Sequence, residues 1–257
     1  MSQAPIQFEK RSDGIAVVTL DRPARLNALS GPLLDALADA VEQIDRDPDI
    51  RVFLLRGSPR PDGRPCFSAG VDVQAFADGE GVTEEQGFEL TNRIDDLLKP
   101  SIAVIDGICT TGGGEIALAC DFRVVARSAQ ISDWHLAKLG TGLGAWGAST
   151  RWARECGIMN AKQMLLTGRV IDGEEAFRIG FASVVYDSAE LEAGALEMAT
   201  AIAGMSPDGV RLVLAHLDRI GDMSRDQALR WAKLSGEWLG VSVSEGELKG
   251  RILPEHD

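Results

Sequence analysis

A run of three glycines followed by a glutamate, Gly112–Glu115, is the part of this sequence best suited to chemistry. The glycines let the backbone approach a ligand closely, and the apolar stretch Ile116–Cys120 indicates that a helix begins here. A helix start presents unpaired N–H groups and a positive dipole end, which stabilise a developing oxyanion. Glu115 would then be a proton-transfer group, although glycines also permit close helix packing and the dipole alone favours a glutamate in a first turn.

A second segment of small residues lies upstream, at the end of an apolar strand. Phe67–Asp72 reads Phe-Ser-Ala-Gly-Val-Asp, and Gly107–Asp121 later reads Gly-Ile-Cys-Thr-Thr-Gly-Gly-Gly-Glu-Ile-Ala-Leu-Ala-Cys-Asp. The two segments, in this order and at this spacing, resemble the crotonase superfamily, that is, the enoyl-CoA hydratases and isomerases. The blocks Arg22–Leu29 and Leu166–Phe181 extend the resemblance over most of the chain, whereas the C-terminal segment around Leu248–Leu253 matches poorly.

The resemblance implies a fold and a division of the chain. The fold is α/β, a crotonase-type spiral of ββα repeats followed by a C-terminal helical trimerisation region. Residues 1–195 would form the spiral core with the oxyanion hole and the coenzyme A site. Residues 196–257 would form the helical region, which is not an independent domain and which packs in trimers or in dimers of trimers.

The resemblance also assigns roles in the reaction. The backbone N–H groups of Val71 and Gly112 would hold a thioester oxygen, and two such donors lower the barrier to an enolate. Glu115 would be the general acid or base. Neither donor role depends on a side chain.

The second catalytic glutamate of the hydratases is missing from this sequence. The position twenty residues after Glu115 is His135, but allowing one extra residue places Leu136 there, which would leave no side-chain base. An imidazole has a pKa suited to proton transfer near neutral pH. His135 could therefore take the acid/base role, hold a water or merely pack against Trp134, and Asp133 is an alternative carboxylate.

Recognition of coenzyme A is implied by the resemblance alone. Three residues would border the pantetheine and phosphate path, and three would line the adenine pocket: Ala24, Arg25 and Leu26, and Ala69, Asp72 and Val73. Arg25 is either a phosphate contact or an ordinary surface cation. Coenzyme A is expected only as part of the substrate, with no separate cofactor.

The glycine-rich run Gly142–Gly147 satisfies the pattern Gly-x-Gly-x-x-Gly of dinucleotide-binding folds. It lies in mid-chain after a stretch of mixed polarity, whereas a dinucleotide site follows an apolar strand, and a glycine-rich tract stands at this place in the crotonase family. We therefore expect no NAD site. The four cysteines are scattered singly, which favours core packing over disulfides or a metal site.

The composition is that of an acidic chain, with a formal net charge of −13. This charge argues against a general surface for nucleic acid or anionic membranes. The absence of a long apolar stretch and of a secretory signal in the first residues leads us to expect a cytoplasmic protein.

Short aliphatic runs alternate with helical patterns along the chain. Strands are predicted at Ile15–Leu20, Val52–Leu55, Ile102–Ile105 and Val124–Val125, and a helix with Pro32 near its start lies between the first two. Alternation of this kind predicts parallel strands. Asp78–Gln86 is the best candidate for a mobile loop, which in the crotonase family borders the acyl pocket, and helices are predicted from about residue 200 onward.

Three readings of function remain open. The first is an enoyl-CoA hydratase-like lyase that uses Glu115 and the Val71 and Gly112 donors. The second is an isomerase, or a hydrolase of a carbon–carbon bond in a β-dicarbonyl compound, that uses His135. The third is a non-catalytic acyl-CoA-binding protein.

Overall fold

The computed structural model describes residues 4–140 and 142–238, in which strands and helices alternate. The strands are β1 Ile6–Lys10, β2 Ile15–Leu20, β3 Val52–Gly57, β4 Cys66–Ser68, β5 Ser101–Ile105, β6 Ile108–Thr110, β7 Phe122–Ala126, β8 Gln130–Ser132 and β9 Val184–Tyr186. The α-helices are α1 Gly31–Arg46, α2 Val73–Ala77, α3 Glu84–Asp95, α4 Gly112–Ala119, α5 Ala148–Cys156, α6 Ile158–Thr167, α7 Gly173–Arg178, α8 Ser188–Ala203, α9 Pro207–Leu217 and α10 Arg225–Trp238.

From β3 onward, successive strands belong alternately to a larger and a smaller sheet. The larger sheet has the order β1-β2-β3-β5-β7-β9, in which only β1 runs antiparallel to its neighbour, and the smaller sheet is the parallel set β4-β6-β8. The chain passes from β3 to β4, from β5 to β6 and from β7 to β8, and helices follow each of these pairs. This arrangement confirms the expected spiral of ββα repeats.

The core strands are buried along most of their length because both faces of the large sheet are covered. Strands β2 and β5 are buried at every position, as continuous aliphatic runs predict. All four predicted strands are confirmed as parts of β2, β3, β5 and β7. The predicted helix is α1, with Pro32 in its first turn and with Leu33, Leu34, Leu37, Val41 and Ile44 buried.

The described chain divides into two compact units, one ending at Gly204 and the other beginning at Met205. Helix α8 belongs to the first unit, where it packs on β3, β5 and β7. The division expected between residues 195 and 196 falls inside this helix. In the second unit α9 and α10 confirm the predicted helices, and the His216 and Trp231 rings stack with centroids 4.9 Å apart. Residues 239–257 of the expected helical region lie outside the described residues.

Candidate active site

Two backbone turns meet where β4 and β6 end side by side in the small sheet. The Leu29 N–H donates to Gly70 O and Leu29 O accepts from Asp72 N, so the Val71 N–H between them is directed away from Leu29. Gly112 is the first residue of α4, and an N–H at that position has no earlier helical carbonyl to bond. A Cβ added to Gly70 would lie 3.5 Å from the Gly112 nitrogen. Val71 and Gly112 therefore present two N–H groups in one region.

Thr111 precedes α4 with φ at 53° and ψ at −119°, which is uncommon for a residue with a side chain. The Thr111 N–H donates to Ser132 O at 3.3 Å, the Ser132 hydroxyl donates to Thr110 Oγ1 at 2.9 Å, and the hydroxyls of Thr110 and Thr111 are 3.1 Å apart. Such backbone strain persists only where the surroundings over-determine it, and it is concentrated at functional sites. Here it sets the direction in which α4 presents its first N–H groups.

Glu115 lies in the first turn of α4 and is buried. Its Oε1 accepts the backbone N–H groups of Trp146 at 3.0 Å and of Ala148 at 3.1 Å. These donors come from the glycine-rich run and from the start of α5. They hold one oxygen of the carboxyl group, and the other oxygen, Oε2, faces His135 at 3.3 Å from Nε2.

His135 lies between two carboxyl groups. Its Nδ1 is 3.0 Å from Asp133 Oδ1 and 3.1 Å from Oδ2, and its backbone N–H donates to the same Oδ1 at 3.1 Å. Burial by itself would lower the pKa of His135, but the hydrogen bonds to Asp133 and Glu115 outweigh it and raise the pKa to about 9. The two carboxyl groups thus favour the imidazolium form at neutral pH, in which both ring nitrogens can donate.

Of the two positions that the sequence left open, His135 and Leu136, His135 is the one whose side chain lies against Glu115. Leu136 is 43% exposed and is outside the set that lines the cavity, whereas His135 lines it beside Glu115. Asp133 is buried behind the ring and holds it in place. Trp134 also lines the cavity, but its Nε1 donates to Gly168 O at 3.0 Å, and the group in contact with Glu115 is the imidazole of His135.

A cavity of about 740 Å³ opens beside these groups. Its rim is exposed, with Val73, Leu139 and Leu143 at 69%, 51% and 75%, whereas its inner residues are buried. The lining residues come from the turns before α2 and α4, the first residues of those helices, the segment at the start of α3, the segment after β8 and the glycine-rich run: Ala69, Val71, Val73, Val82, Thr83, Glu84, Thr111, Glu115, Trp134, His135, Lys138, Leu139, Gly142, Leu143, Gly144, Ala145 and Trp146.

The segment expected to border an acyl pocket does reach this cavity, through Val82, Thr83 and Glu84. The loop ends earlier than Gln86, because Thr83 and Gln86 form a capping box and α3 begins at Glu84.

The six residues expected to bind coenzyme A separate into two groups. Ala69 and Val73 line the cavity, and Asp72 is buried beside them. The Asp72 carboxyl pairs with Arg22 at 2.8 Å and accepts the N–H groups of Gln74 and Ala75 at the start of α2.

Ala24 and Arg25 lie exposed in a short 3-10 helix, and Leu26 follows with a φ of 55°. These three residues are outside the set that lines the cavity. Their part in binding coenzyme A stays a prediction.

The glycine-rich run serves the carboxyl site. Gly144 has a φ of 75°, and a Cβ added there would lie 2.8 Å from Glu115 Oε1 and 3.2 Å from His135 Cε1. Only a residue without a side chain fits this conformation and this space. Sequence reasoning assigned these glycines to the family pattern but missed that the run and the start of α5 supply the two donors to Glu115. The glycine spacing was the available signal.

Buried Asn27 is a second feature that sequence reasoning missed. Its side-chain Nδ2 donates to Ser58 O at 2.8 Å and to Cys66 O at 2.9 Å. The backbone carbonyl of Asn27 accepts the Ser68 hydroxyl at 2.8 Å. These bonds tie the residues before α1 to β4. Asn27 thereby positions the turn that carries Val71.

Neither a metal-binding cluster nor a disulfide is present among the described residues. Within residues 4–140 and 142–238, no group of three or more His, Cys, Asp or Glu side chains is arranged to hold a metal ion. The four cysteines are free and buried, as their spacing predicts, and burial raises the pKa of Cys66 to about 11. Of the described helices, none is both long and apolar enough to cross a membrane.

The chain is similar to known proteins over most of its length. It is 32% identical over 228 residues to a probable peroxisomal enoyl-CoA hydratase 1 of Arabidopsis thaliana, with 84% of this chain and 83% of that protein covered. It is 32% identical over 226 residues to a crotonyl-CoA hydratase of Syntrophomonas wolfei, with coverage of 86% and 84%.

The fold is similar to that of solved structures. An enoyl-CoA hydratase from Bacillus anthracis superposes with a TM-score of 0.85 at 28% identity, covering 96% of this chain and 94% of that one. The family model described as enoyl-CoA hydratase/isomerase matches residues 10–234. The chain therefore belongs to the enoyl-CoA hydratase/isomerase family, within the crotonase superfamily.

Proposed function

We propose that this protein is an enoyl-CoA hydratase-like lyase, which adds water to a 2-enoyl-CoA through an oxyanion-stabilised thioester enolate. The observation that carries the proposal is the 3.3 Å contact between Glu115 Oε2 and His135 Nε2 in a cavity that also receives the turns of Val71 and Gly112. A base, an acid and two fixed donors are the groups that hydration of a conjugated thioester requires.

The donor turns would act on the thioester. The N–H groups of Val71 and Gly112 bind the carbonyl oxygen of the thioester. This polarises the carbonyl, draws electron density from the double bond and makes the substrate Cβ electrophilic. Their interaction strengthens as negative charge develops on that oxygen, because fixed dipoles need no reorganisation during the reaction. This difference between ground state and enolate lowers the barrier.

The carboxyl group of Glu115 would activate the water. It takes one proton from the water while the water oxygen bonds to Cβ, and the double-bond electrons move to the thioester as the enolate. The imidazolium of His135 then gives its Nε2 proton to Cα, and the carbonyl re-forms. One water has been added, with its hydroxyl on Cβ and one hydrogen on Cα.

The protons return along the same contact. After the addition Glu115 carries the proton from the water and His135 has lost one, and their facing atoms are 3.3 Å apart. Transfer from Glu115 to Nε2 restores both groups without outside help. Asp133 on the opposite ring nitrogen keeps the imidazole oriented and favours its charged form.

Hydration is preferred over the hydrolysis of a β-dicarbonyl compound because of the charge state of His135. A hydrolase that used His135 as its base would need a neutral ring. The raised pKa, about 9, favours the imidazolium, which suits proton donation to Cα. Isomerisation of a double bond and acyl-CoA binding without turnover are outcomes that the experiment distinguishes.

The test is the loss of 2-enoyl thioester absorbance when crotonyl-CoA is mixed with the purified protein, with the product identified by mass and by chromatography. We expect 3-hydroxybutyryl-CoA, eighteen mass units heavier than the substrate. A 3-enoyl product of unchanged mass would replace hydration by isomerisation. Binding of crotonyl-CoA without any product would overturn the proposal in favour of a binding protein.

The remaining expectations from the sequence belong to this proposal. Coenzyme A would enter only as part of the substrate, with Ala24, Arg25 and Leu26 along its path. The protein would be cytoplasmic and would form a homotrimer or a dimer of trimers. Exposed apolar side chains on α6 and α7, among them Met159 and Phe177, support assembly with other copies, and light scattering would measure the mass of the particle.

A further inference from the structure

The cavity beside Glu115 has an open end and a closed end. Leu143 at its rim is 75% exposed, whereas Trp146, only three residues later, is 4% exposed. The bulky, polar coenzyme A must remain near the open end, since a nucleotide is costly to bury in apolar surroundings. The acyl chain of a bound thioester therefore extends from the donors toward the buried end, where Trp146 stands.

The indole of Trp146 is fixed between α3 and α4. On the side of α3 it lies over Gly87, and a Cβ added to Gly87 would overlap the ring. On the side of α4, a Cβ added to Gly112 would lie 2.8 Å from Cζ3 of the ring. The ring thus occupies the space between Gly87, where α3 has no side chain, and Gly112, the proposed oxyanion donor.

The backbone of Trp146 is fixed as firmly as the ring. Its N–H donates to Glu115 Oε1 at 3.0 Å, and its carbonyl accepts the Thr91 hydroxyl at 2.9 Å and Arg151 Nη1 at 2.6 Å. These bonds fix the Cα position of Trp146, and the close packing against Gly87 and Gly112 confines the ring itself. The closed end of the cavity is therefore a rigid wall.

We propose that Trp146, seated over Gly87, is the residue that limits the length of the acyl chain and restricts the protein to short 2-enoyl-CoA substrates. This inference rests on the proposed function for the reaction, but the wall would also limit the acyl chain in simple binding. In the bound thioester, the carbonyl oxygen would lie at Gly112 and the substrate Cβ would face Glu115. Because the Trp146 ring packs against Gly112, little distance remains between the substrate Cβ and the ring. Carbons beyond the first few meet the indole.

The experiment compares kcat/KM for 2-enoyl-CoAs of four, six, eight and ten carbons in the wild type and in Trp146→Ala and Trp146→Phe. The alanine variant keeps the backbone N–H that Glu115 accepts and removes the wall. We expect the ratio of ten-carbon to four-carbon activity to rise by at least about tenfold, since each methylene that a pocket accepts or refuses changes specificity by about 10- to 200-fold. Trp146→Phe should give an intermediate ratio.

Trp152→Ala is the matched control. Trp152 is equally buried and stacks on Phe181 with ring centroids 4.8 Å apart, but it does not line the cavity. Its loss should lower the melting temperature about as much as the loss of Trp146 while leaving the chain-length ratio unchanged. The comparison separates a specific wall from general loosening of the core.

A binding measurement keeps this inference separable from the proposed reaction. Calorimetric titration with butyryl-CoA and decanoyl-CoA reports the same preference without turnover, and the preference for butyryl-CoA should be lost in Trp146→Ala. If the wild type binds short acyl-CoAs selectively but hydrates none, the proposed function fails and the inference stands. Unchanged ratios in folded Trp146→Ala and Trp146→Phe, or a wild type that prefers decanoyl-CoA, would overturn it.

Discussion

The proposed site has two regions that would achieve their chemistry by different means. The donor region, formed by the backbone N–H groups of Val71 and Gly112, depends on chain conformation. The proton-transfer region, formed by Asp133, His135 and Glu115, depends on side-chain identity and on charge. The first is fixed by a positive φ at Gly70 and by the unusual conformation of Thr111. The second is fixed by hydrogen bonds between side chains and from the glycine-rich run.

The difference teaches where each region is sensitive. A backbone N–H does not titrate and survives most substitutions, so the donor region should respond to changes in backbone geometry alone. The proton-transfer region carries an imidazolium between two carboxyl groups, and its charge changes with pH. Substitutions and pH should therefore separate the two regions.

The largest effect is expected from Glu115→Gln. The amide keeps an oxygen for the N–H groups of Trp146 and Ala148, so the fold is preserved, but no base remains for the water. We expect kcat for crotonyl-CoA hydration to fall on the order of 10³-fold. Circular dichroism and melting temperature serve as the controls, and a folded variant that retains a tenth of the activity would show that Glu115 is not the base.

His135→Ala should cost somewhat less, on the order of 10²-fold in kcat, because Glu115 still activates the water while the proton donor to Cα is lost. The substitution leaves a hole beside Glu115 Oε2 that a free imidazole can occupy. Added imidazole should therefore restore part of the activity, in proportion to the imidazolium fraction. Wild-type rates in the alanine variant would instead assign His135 a packing role.

Asp133→Asn tests the pH dependence of the proton-transfer region. With the pKa of His135 raised to about 9, the wild type should keep its proton donor through neutral pH and lose activity as the pH rises past about 9. Removing the Asp133 charge lowers the pKa of His135, so the alkaline limb of the kcat profile should move to lower pH in the variant. At the pH of the wild-type midpoint, kcat of Asp133→Asn should be about tenfold below that of the wild type. An unmoved limb would exclude coupling through Nδ1.

The same shift makes a statement about stability. The folded-state pKa of His135 lies above its ordinary value of 6.5, so its contribution to stability is complete below pH 6.5 and is lost as the pH rises through about 9. Wild type and Asp133→Asn should accordingly differ more in melting temperature at pH 6 than at pH 10. A constant difference would mean that Asp133 stabilises the fold independently of the charge on the ring.

The resemblance to the crotonase superfamily, which small residues and glycines at fixed spacing carry, allowed the spiral and the donors Val71 and Gly112 to be predicted. The buried strands and α1 were predicted from hydrophobic patterning, because the spacing of apolar residues reports which side chains are buried. The sequence did not decide which residue faces Glu115 in the proton-transfer region, because the choice between His135 and Leu136 depends on how the chain turns after β8. The Asp133 carboxyl decides that turn by accepting the His135 N–H two residues on.

The packing of Trp146 over Gly87 could not be predicted either, because a large aromatic residue is as often part of the core as of a substrate pocket. The Trp146 ring fits only because Gly87, in a helix distant in sequence, lacks a side chain. Neither residue has a local pattern that reveals the other. Tertiary packing of this kind becomes visible only when the turn before α5 is placed against α3.

The smallest effect is expected from Val71→Ala, which retains the N–H and removes only two methyl groups from the cavity wall, so kcat should stay within about twofold of the wild type. The contrasting variant is Gly70→Ala, one residue earlier. Gly70 has a φ of 88°, and a Cβ there would lie 3.1 Å from Thr110 O, so the alanine must displace the turn that aims the Val71 N–H. Loss of one oxyanion donor typically costs about 10²- to 10³-fold in kcat, and a displaced donor should approach that range. Equal rates in the two folded variants would show that this N–H does not bind the reacting oxygen, and the donor region would then reduce to Gly112 alone.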